Sequence, residues 1–183
     1  YMDSLERISV ESKRISLLIK SLLFLSRQDK DILANTVEDV CLPRMLREQY
    51  AGRPRIRLSS TLREENDFIV RANPYLLGIA LQNVVDNACK YSDKDVEISL
   101  FEKEGRRVVE IRDQGIGIPQ EEVELIFQSF YRAGNTRSYK GQGIGLSLYL
   151  KIISTYGGQM GNHSEEGHFT TVSITFPLSL AEE

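Results

Sequence analysis

Leu5, Ile8, Ser12, Ile15, Ile19 and Leu22 follow one another at alternating intervals of three and four residues. That spacing places them on one seam and predicts a helix over residues 3–28. Leu18 and Leu25 widen the seam as a bundle helix requires, while Glu6, Glu11, Lys13, Lys20 and Arg27 mostly fall elsewhere. The stripe alone fits two arrangements equally: a helix packed on its own domain, or one arm of a helical hairpin that dimerises.

Residues 29–41 are polar and read as a connector. Pro43 suits the first turn of a short helix over 43–50. Alternation over Arg55–Ser59 and Asp67–Arg71 predicts two strands. Asn73-Pro74 opens a helix to about Tyr91, with Asn73 as its cap. Val96–Phe101 and Arg107–Arg112 alternate and are joined around Gly105, the signature of a hairpin. A helix is expected after Pro119, then a long polar loop over 132–142, of a kind uncommon without a function. A helix from about Gly143 to Tyr156 stops at Gly157-Gly158, and a last strand runs from Thr170 to Phe176. Helices mixed with hairpin-connected strands predict an α+β, two-layer α/β sandwich, a mostly antiparallel sheet with helices on one face, preceded by the long N-terminal helix.

The 183 residues suffice for one well-cored domain plus an appendage. A net charge of −3 argues against a general nucleic-acid binder, which carries a basic surplus. Cys41 and Cys89 fit no metal-ligand spacing and read as reduced thiols, which points to a cytoplasmic setting. No apolar run reaches the length of a membrane span and no signal peptide is visible. The chain opens at Tyr1, inside a helical pattern, and is expected to be a fragment of something longer.

Three blocks carry candidate chemistry. In Asn83-Val-Val-Asp-Asn87-Ala-Cys-Lys90-Tyr91, the two asparagines are four apart and share one helix face. Their amide oxygens suit Mg²⁺, which takes a few protein oxygens together with phosphate oxygens and water, and Lys90 can meet phosphate charge. A solvated polar face has the same pattern. Asp113-Gln-Gly115-Ile-Gly117-Ile118-Pro119 follows a strand directly. Its glycines permit a tight turn and close approach to a flat ligand, and Asp113 can accept a hydrogen bond from an exocyclic amine. A turn with an Asp cap reads the same way. Lys140-Gly141-Gln-Gly143-Ile-Gly145-Leu146 runs into a helix, where exposed N–H groups and the helix dipole attract an anion. It is neither a Rossmann fingerprint nor a Walker loop. The loop before it carries Arg132, Asn135, Arg137 and Lys140, which can gather phosphates.

Taken in order and spacing, these blocks resemble the ATP-binding domain of bacterial sensor histidine kinases, in the wider gyrase, Hsp90, histidine kinase and MutL superfamily. Asn83–Tyr91 resembles its N box, Asp113–Gly117 its first glycine box, Phe127–Arg132 its F box and Gly141–Leu146 its second glycine box. Tyr156-Gly-Gly and Gly167-His-Phe-Thr170 match the turn after the next helix and the last small-residue motif. The resemblance covers residues 43–178. Residues 3–28, ending Ser21-Leu-Leu-Phe-Leu-Ser-Arg27, resemble the second helix of the family's dimerisation and histidine-phosphotransfer hairpin.

The resemblance implies a Bergerat ATP-binding fold and three segments: hairpin helix 1–30, linker 31–41 and catalytic domain 42–183. It implies that Asn87 binds Mg²⁺ and that Asn83 contacts phosphate or metal. Lys90 and Tyr91 line the phosphate and ribose region, Asp113 takes the adenine amine, and Gly115, Gly117 and Ile118 lie beside it. It further implies that Arg132 helps stabilise the transferring phosphate, that Gly141, Gly143 and Gly145 hold the lid near the phosphates, that Arg137, Lys140 and Leu146 also bind the nucleotide, and that Thr170 joins the water network at adenine. Asn83, Lys90 and Arg132 are the implied catalytic residues. The implied cofactors are ATP and Mg²⁺. The implied partners are a histidine-bearing helix of the parent kinase, a response regulator and a second copy of the full-length chain, with no nucleic acid. The parent is expected to be an inner-membrane sensor with this domain in the cytoplasm.

Hydrolytic branches of the superfamily place a water-activating Glu where this chain has Asn83, so the resemblance implies weak hydrolysis and transfer of the γ-phosphoryl group to histidine. His163 and His168 stand in no phosphoacceptor context and read as structural or surface residues. The acceptor is expected before residue 1, leaving this chain able to hold ATP but not to phosphorylate itself on histidine. A nucleotide-binding scaffold without phosphotransfer and a Ser/Thr protein kinase of the same superfamily are the alternatives.

Overall fold

The computed structural model describes residues 37–59, 68–136, 138, 139 and 145–178. The helix expected over 3–28 lies outside them. Strand β1 (Glu38–Cys41) leads into helix α1 (Leu42–Tyr50), followed by β2 (Ile56–Leu58), β3 (Ile69–Ala72) and helix α2 (Pro74–Tyr91). The hairpin β4 (Val96–Lys103) and β5 (Arg106–Asp113) follows, then short 3₁₀ turns, helix α3 (Gly145–Thr155), β6 (Gln159–Glu165) and β7 (Phe169–Pro177).

The described strands make a five-stranded sheet in the order β2-β4-β5-β7-β6, with β1 and β3 paired antiparallel in a separate ribbon. The β2–β4 pair is parallel and the other three pairs are antiparallel. This is the Bergerat-type α+β sandwich, with a mixed sheet and flanking helices.

Period-two alternation decides which residues face the helices. Ile98 and Leu100 of β4, Val109 and Ile111 of β5, and Ile174 and Phe176 of β7 are buried side by side on one face. Leu77, Leu81 and Val84 from α2 and Leu148, Ile152 and Ile153 from α3 complete the buried core. The opposite face is polar: the Arg112 guanidinium lies 4.3 Å over the Phe169 ring, and the His163 ring meets Phe169 at a tilt with centroids 5.4 Å apart.

Asn73 caps α2 as expected, its Oδ1 accepting from Leu76 N at 3.1 Å, and Pro74 takes the first helical position, where a missing N–H costs nothing. Arg55 secures the other end. Its Nη2 donates to the carbonyl of Cys89, in the last turn where helical partners run out, and to those of Ser92 and Lys94 just beyond the helix. The stretch after Pro119 forms only 3₁₀ turns, Gln120–Glu122 and Leu125–Phe127, instead of a full helix. Two strands emerge where alternation is faint. β1 occupies the end of the polar connector, and β6, Gln-Met-Gly-Asn-His-Ser-Glu, is an edge strand with little apolar surface to bury. Among the described residues, no helix is long and apolar enough to cross a membrane.

Candidate functional site

Three neighbouring strands end in a row of polar residues. Asp113 of β5 is the register partner of Thr170 of β7, and Thr170 is the partner of Ser164 of β6. Partners in an antiparallel ladder share a face. Asp113 therefore takes the next position along the core face after Val109 and Ile111, where a hydrophobe would continue the pattern. It is only 5% exposed. Its Oδ1 accepts the Gly115 N–H at 2.9 Å, and it also takes a backbone bond from Thr170. No described ion pair neutralises it. Burial pushes its carboxyl up to about 6, opposed by the two backbone bonds and the charge of Arg112. A buried carboxyl held this way is costly to folding and is typical of a working site.

The turn after Asp113 is wedged between two other pieces of backbone. A Cβ on Gly115 would stand 2.1 Å from the Tyr91 carbonyl oxygen. One on Gly117, which has φ +62, would stand 2.0 Å from that of Glu165. Ile116 N donates to the Tyr91 carbonyl at 3.1 Å, and Gly167 N donates to the Ile116 carbonyl at 2.8 Å. Ile118 N donates to Ser164 Oγ at 2.9 Å, and Asn135 Nδ2 donates to the Gly117 carbonyl at 3.0 Å. The glycines are thus required by close contact with the protein's own backbone at the end of α2 and at the β6–β7 turn.

On α2, Asn83 and Asn87 are both half-buried, and Asn83 Nδ2 donates to the Ile79 carbonyl at 2.8 Å. A carbonyl can only accept, so this bond identifies the amide nitrogen and leaves Oδ1 without a described partner. Asp86 is exposed and accepts from Gln82 Nε2 at 2.7 Å. Lys90 Nζ donates to Tyr91 Oη at 3.0 Å and lies over that ring. The Tyr139 ring meets Tyr91 edge-on at 5.0 Å. Arg132 is exposed, and its Nη2 donates to the carbonyls of Thr136 at 2.7 Å and Tyr139 at 2.5 Å. The rest of its guanidinium has no acceptor among the described residues.

The expected site residues therefore divide into groups. Asp113, Gly115, Gly117, Ile118 and Thr170 come together, and Tyr91 joins them through its carbonyl. Lys90 and Arg132 connect to that cluster by way of the Tyr91 and Tyr139 rings. Gly145 opens α3, with Leu146 half-buried after it. Arg137, Lys140, Gly141 and Gly143 lie outside the described residues. His163 and His168 are both exposed, and His168 Nδ1 sits 3.1 Å from the Glu166 carbonyl. Asn135, grouped with the phosphate-gathering loop, instead braces the Gly117 turn. Ser164 and Tyr139 had no sequence signal: one serine in a polar strand and one tyrosine in a polar loop belong to no motif.

Residues 72–180 match the family model described as histidine kinase-, DNA gyrase B-, and HSP90-like ATPase. Sensor histidine kinase YkoH of Bacillus subtilis is 31% identical over 180 residues, covering 95% of this chain and 39% of its own. Signal transduction histidine-protein kinase ArlS of Staphylococcus haemolyticus is 31% identical over 181 residues, covering 95% and 40%. The chain thus spans about two fifths of the length of these relatives. Among solved structures, a mycobacterial sensor histidine kinase, MprB, superposes with a TM-score of 0.59 at 27% identity, over 77% of this chain and 97% of that one.

Proposed function

This chain belongs to the histidine kinase-, DNA gyrase B- and HSP90-like ATPase family, and we propose that it binds Mg-ATP and donates the γ-phosphoryl group to a histidine. The histidine is borne by a helix of the parent sensor kinase, and a response-regulator aspartate receives the group next. Segments 1–30, 31–41 and 42–183 would serve as hairpin helix, linker and catalytic domain.

The observation that carries the reading is Asp113: a carboxyl buried on the core face, held by backbone N–H groups and lacking a described counter-ion. Such a group is an acceptor waiting for a donor. The amine of adenine supplies one, and the 6-oxo group of guanine does not. The wedged turn supports this by fixing Gly115 and Gly117 at Asp113's side.

The donor set also fits Mg²⁺. Among the described residues no three His, Cys, Asp or Glu side chains cluster as a cage. No hydrogen bond ties the Asn87 side chain to a described residue, and Asn83 commits its amide nitrogen to the Ile79 carbonyl, leaving its oxygen without a described partner. Amide oxygens in small number suit an ion that keeps water and phosphate oxygens in its shell. When bound, Mg²⁺ supplies charge neutralisation at the phosphates. Lys90 and the remaining donors of Arg132 would add positive charge there. Asn83 has no basicity to activate water, which favours transfer over hydrolysis.

The test is to supply a histidine-bearing helix on the same polypeptide, add Mg-ATP and examine the phosphate formed. The reading requires an acid-labile, base-stable phosphate; an acid-stable one, or none, contradicts it.

A further inference from the structure

Ser164 has a saturated hydroxyl. It is 4% exposed and meets the loop after Asp113 at Ile118 N. Its oxygen donates to the Phe169 carbonyl at 2.7 Å, accepts from Ile118 N at 2.9 Å and stands 3.0 Å from Thr170 Oγ1. A hydroxyl offers one donor and two acceptor positions. The Phe169 carbonyl can only accept, so it takes the single Ser164 proton. The backbone N–H of Ile118 fills one lone pair. The contact with Thr170 is then made only by the Thr170 proton entering the second lone pair.

Thr170 is thereby fixed in one sense. Its hydrogen points at Ser164, and its oxygen has only lone pairs for anything on the other side. Asp113, the next residue in the cross-strand row, is also purely an acceptor when ionised. We propose that Ser164 is a specificity-determining positioning residue: it holds Thr170 as an acceptor, so that the row Ser164–Thr170–Asp113 favours 6-aminopurine nucleotides and repels 6-oxopurine ones. The inference rests on the adenine-site reading above and adds a residue and a mechanism of discrimination to it.

A 6-oxo group sets carbonyl lone pairs against two acceptors. Removing the Ser164 hydroxyl frees the Thr170 proton to rotate and donate to that carbonyl, directly or through water. The 6-oxo ligand should gain far more than the 6-amino ligand loses.

The experiment is calorimetric titration of Mg-ATP and Mg-ITP into the intact chain, its Ser164→Ala and Thr170→Val variants, and the double variant. The intact chain prefers ATP. Ser164→Ala narrows the ATP/ITP ratio by about tenfold, the worth of one hydrogen bond of ordinary strength, mainly through tighter ITP. In the Thr170→Val background, Ser164→Ala changes the ratio no further, because no hydroxyl remains to turn. A uniform loss for both nucleotides would mark Ser164 as merely structural and overturn the proposal, as would an equal narrowing without the Thr170 hydroxyl. If Ser164→Ala does not fold, Thr170→Ser and Thr170→Val decide: the serine keeps the ratio and the valine narrows it. An unchanged ratio in Thr170→Val overturns the proposal. Failure of the intact chain to bind ATP would instead remove the adenine-site reading, and this inference with it.

Discussion

Gly117 sits directly against the carbonyl oxygen of Glu165, so close that a Cβ at 117 would stand 2.0 Å from it. The contact locks the turn after Asp113 onto the β6–β7 hairpin. Gly117 also has φ +62, where a side chain strains the backbone. Gly117→Ala therefore has to shift one backbone or the other, at a cost of about 2 kcal/mol or more in stability. It should also weaken ATP binding. Gly161→Ala, at a position where a Cβ meets nothing within 4 Å, should change stability by about 0.5 kcal/mol or less. Urea melts of the two variants make the comparison, and equal effects would contradict the wedge.

Asp113 links stability to pH. Its carboxyl is raised from 3.8 to about 6 by burial. The folded state therefore holds this proton more tightly than the unfolded state. Below the unfolded value both states are protonated and there is no penalty. As pH rises through this window the unfolded chain ionises first, and the fold loses about 3 kcal/mol by neutral pH. Asp113→Asn should abolish that part of the slope between pH 4 and pH 7 while weakening ATP binding by about tenfold to a hundredfold. Melts at several pH values with calorimetry check both. A slope unchanged in the variant would contradict the burial of an ionisable carboxyl.

Asn87→Ala should act through the metal. ATP affinity measured with Mg²⁺ falls by about tenfold, while affinity measured in a chelator stays near that of the unaltered chain. An equal loss in both conditions would assign Asn87 to the nucleotide itself.

Arg55 and Arg57 offer a contrast in arginine energetics. Arg55 closes the end of α2 by binding backbone carbonyls, whereas Arg57 pairs with Asp95 at 2.8 Å in the open, with side chains 68% and 47% exposed. Arg55→Ala should cost about 1.5–3 kcal/mol, the range for hydrogen bonds from a charged donor. Arg57→Ala should cost about 1 kcal/mol at most. Chemical denaturation distinguishes them, and the reverse order would refute the capping role.

Much of this architecture was legible in the chain. The cap at Asn73 and the hairpin around Gly105 were set by local chemistry, and both stand where the pattern placed them. β6 was not legible, because an edge strand need not bury apolar residues and its Asn162, His163 and Ser164 look like loop. That same blind spot hid Ser164, whose role arises only when register sets it beside Thr170. The glycine turn was read for closeness to a ligand. The closeness that excludes a Cβ is to Tyr91 and Glu165, residues far away in sequence. The stretch after Pro119 has apolar residues enough for a helix but is held as 3₁₀ turns, with Asn162 Nδ2 bonding the Val123 carbonyl at 2.9 Å.

The central claim is an adenine-selective, metal-assisted nucleotide site organised around Asp113. Calorimetric titration of Mg-ATP and Mg-GTP into this chain tests it most directly. The account predicts saturable one-to-one binding of ATP, with GTP weaker by about tenfold or more. No saturable ATP binding, or GTP bound equally well, would contradict it.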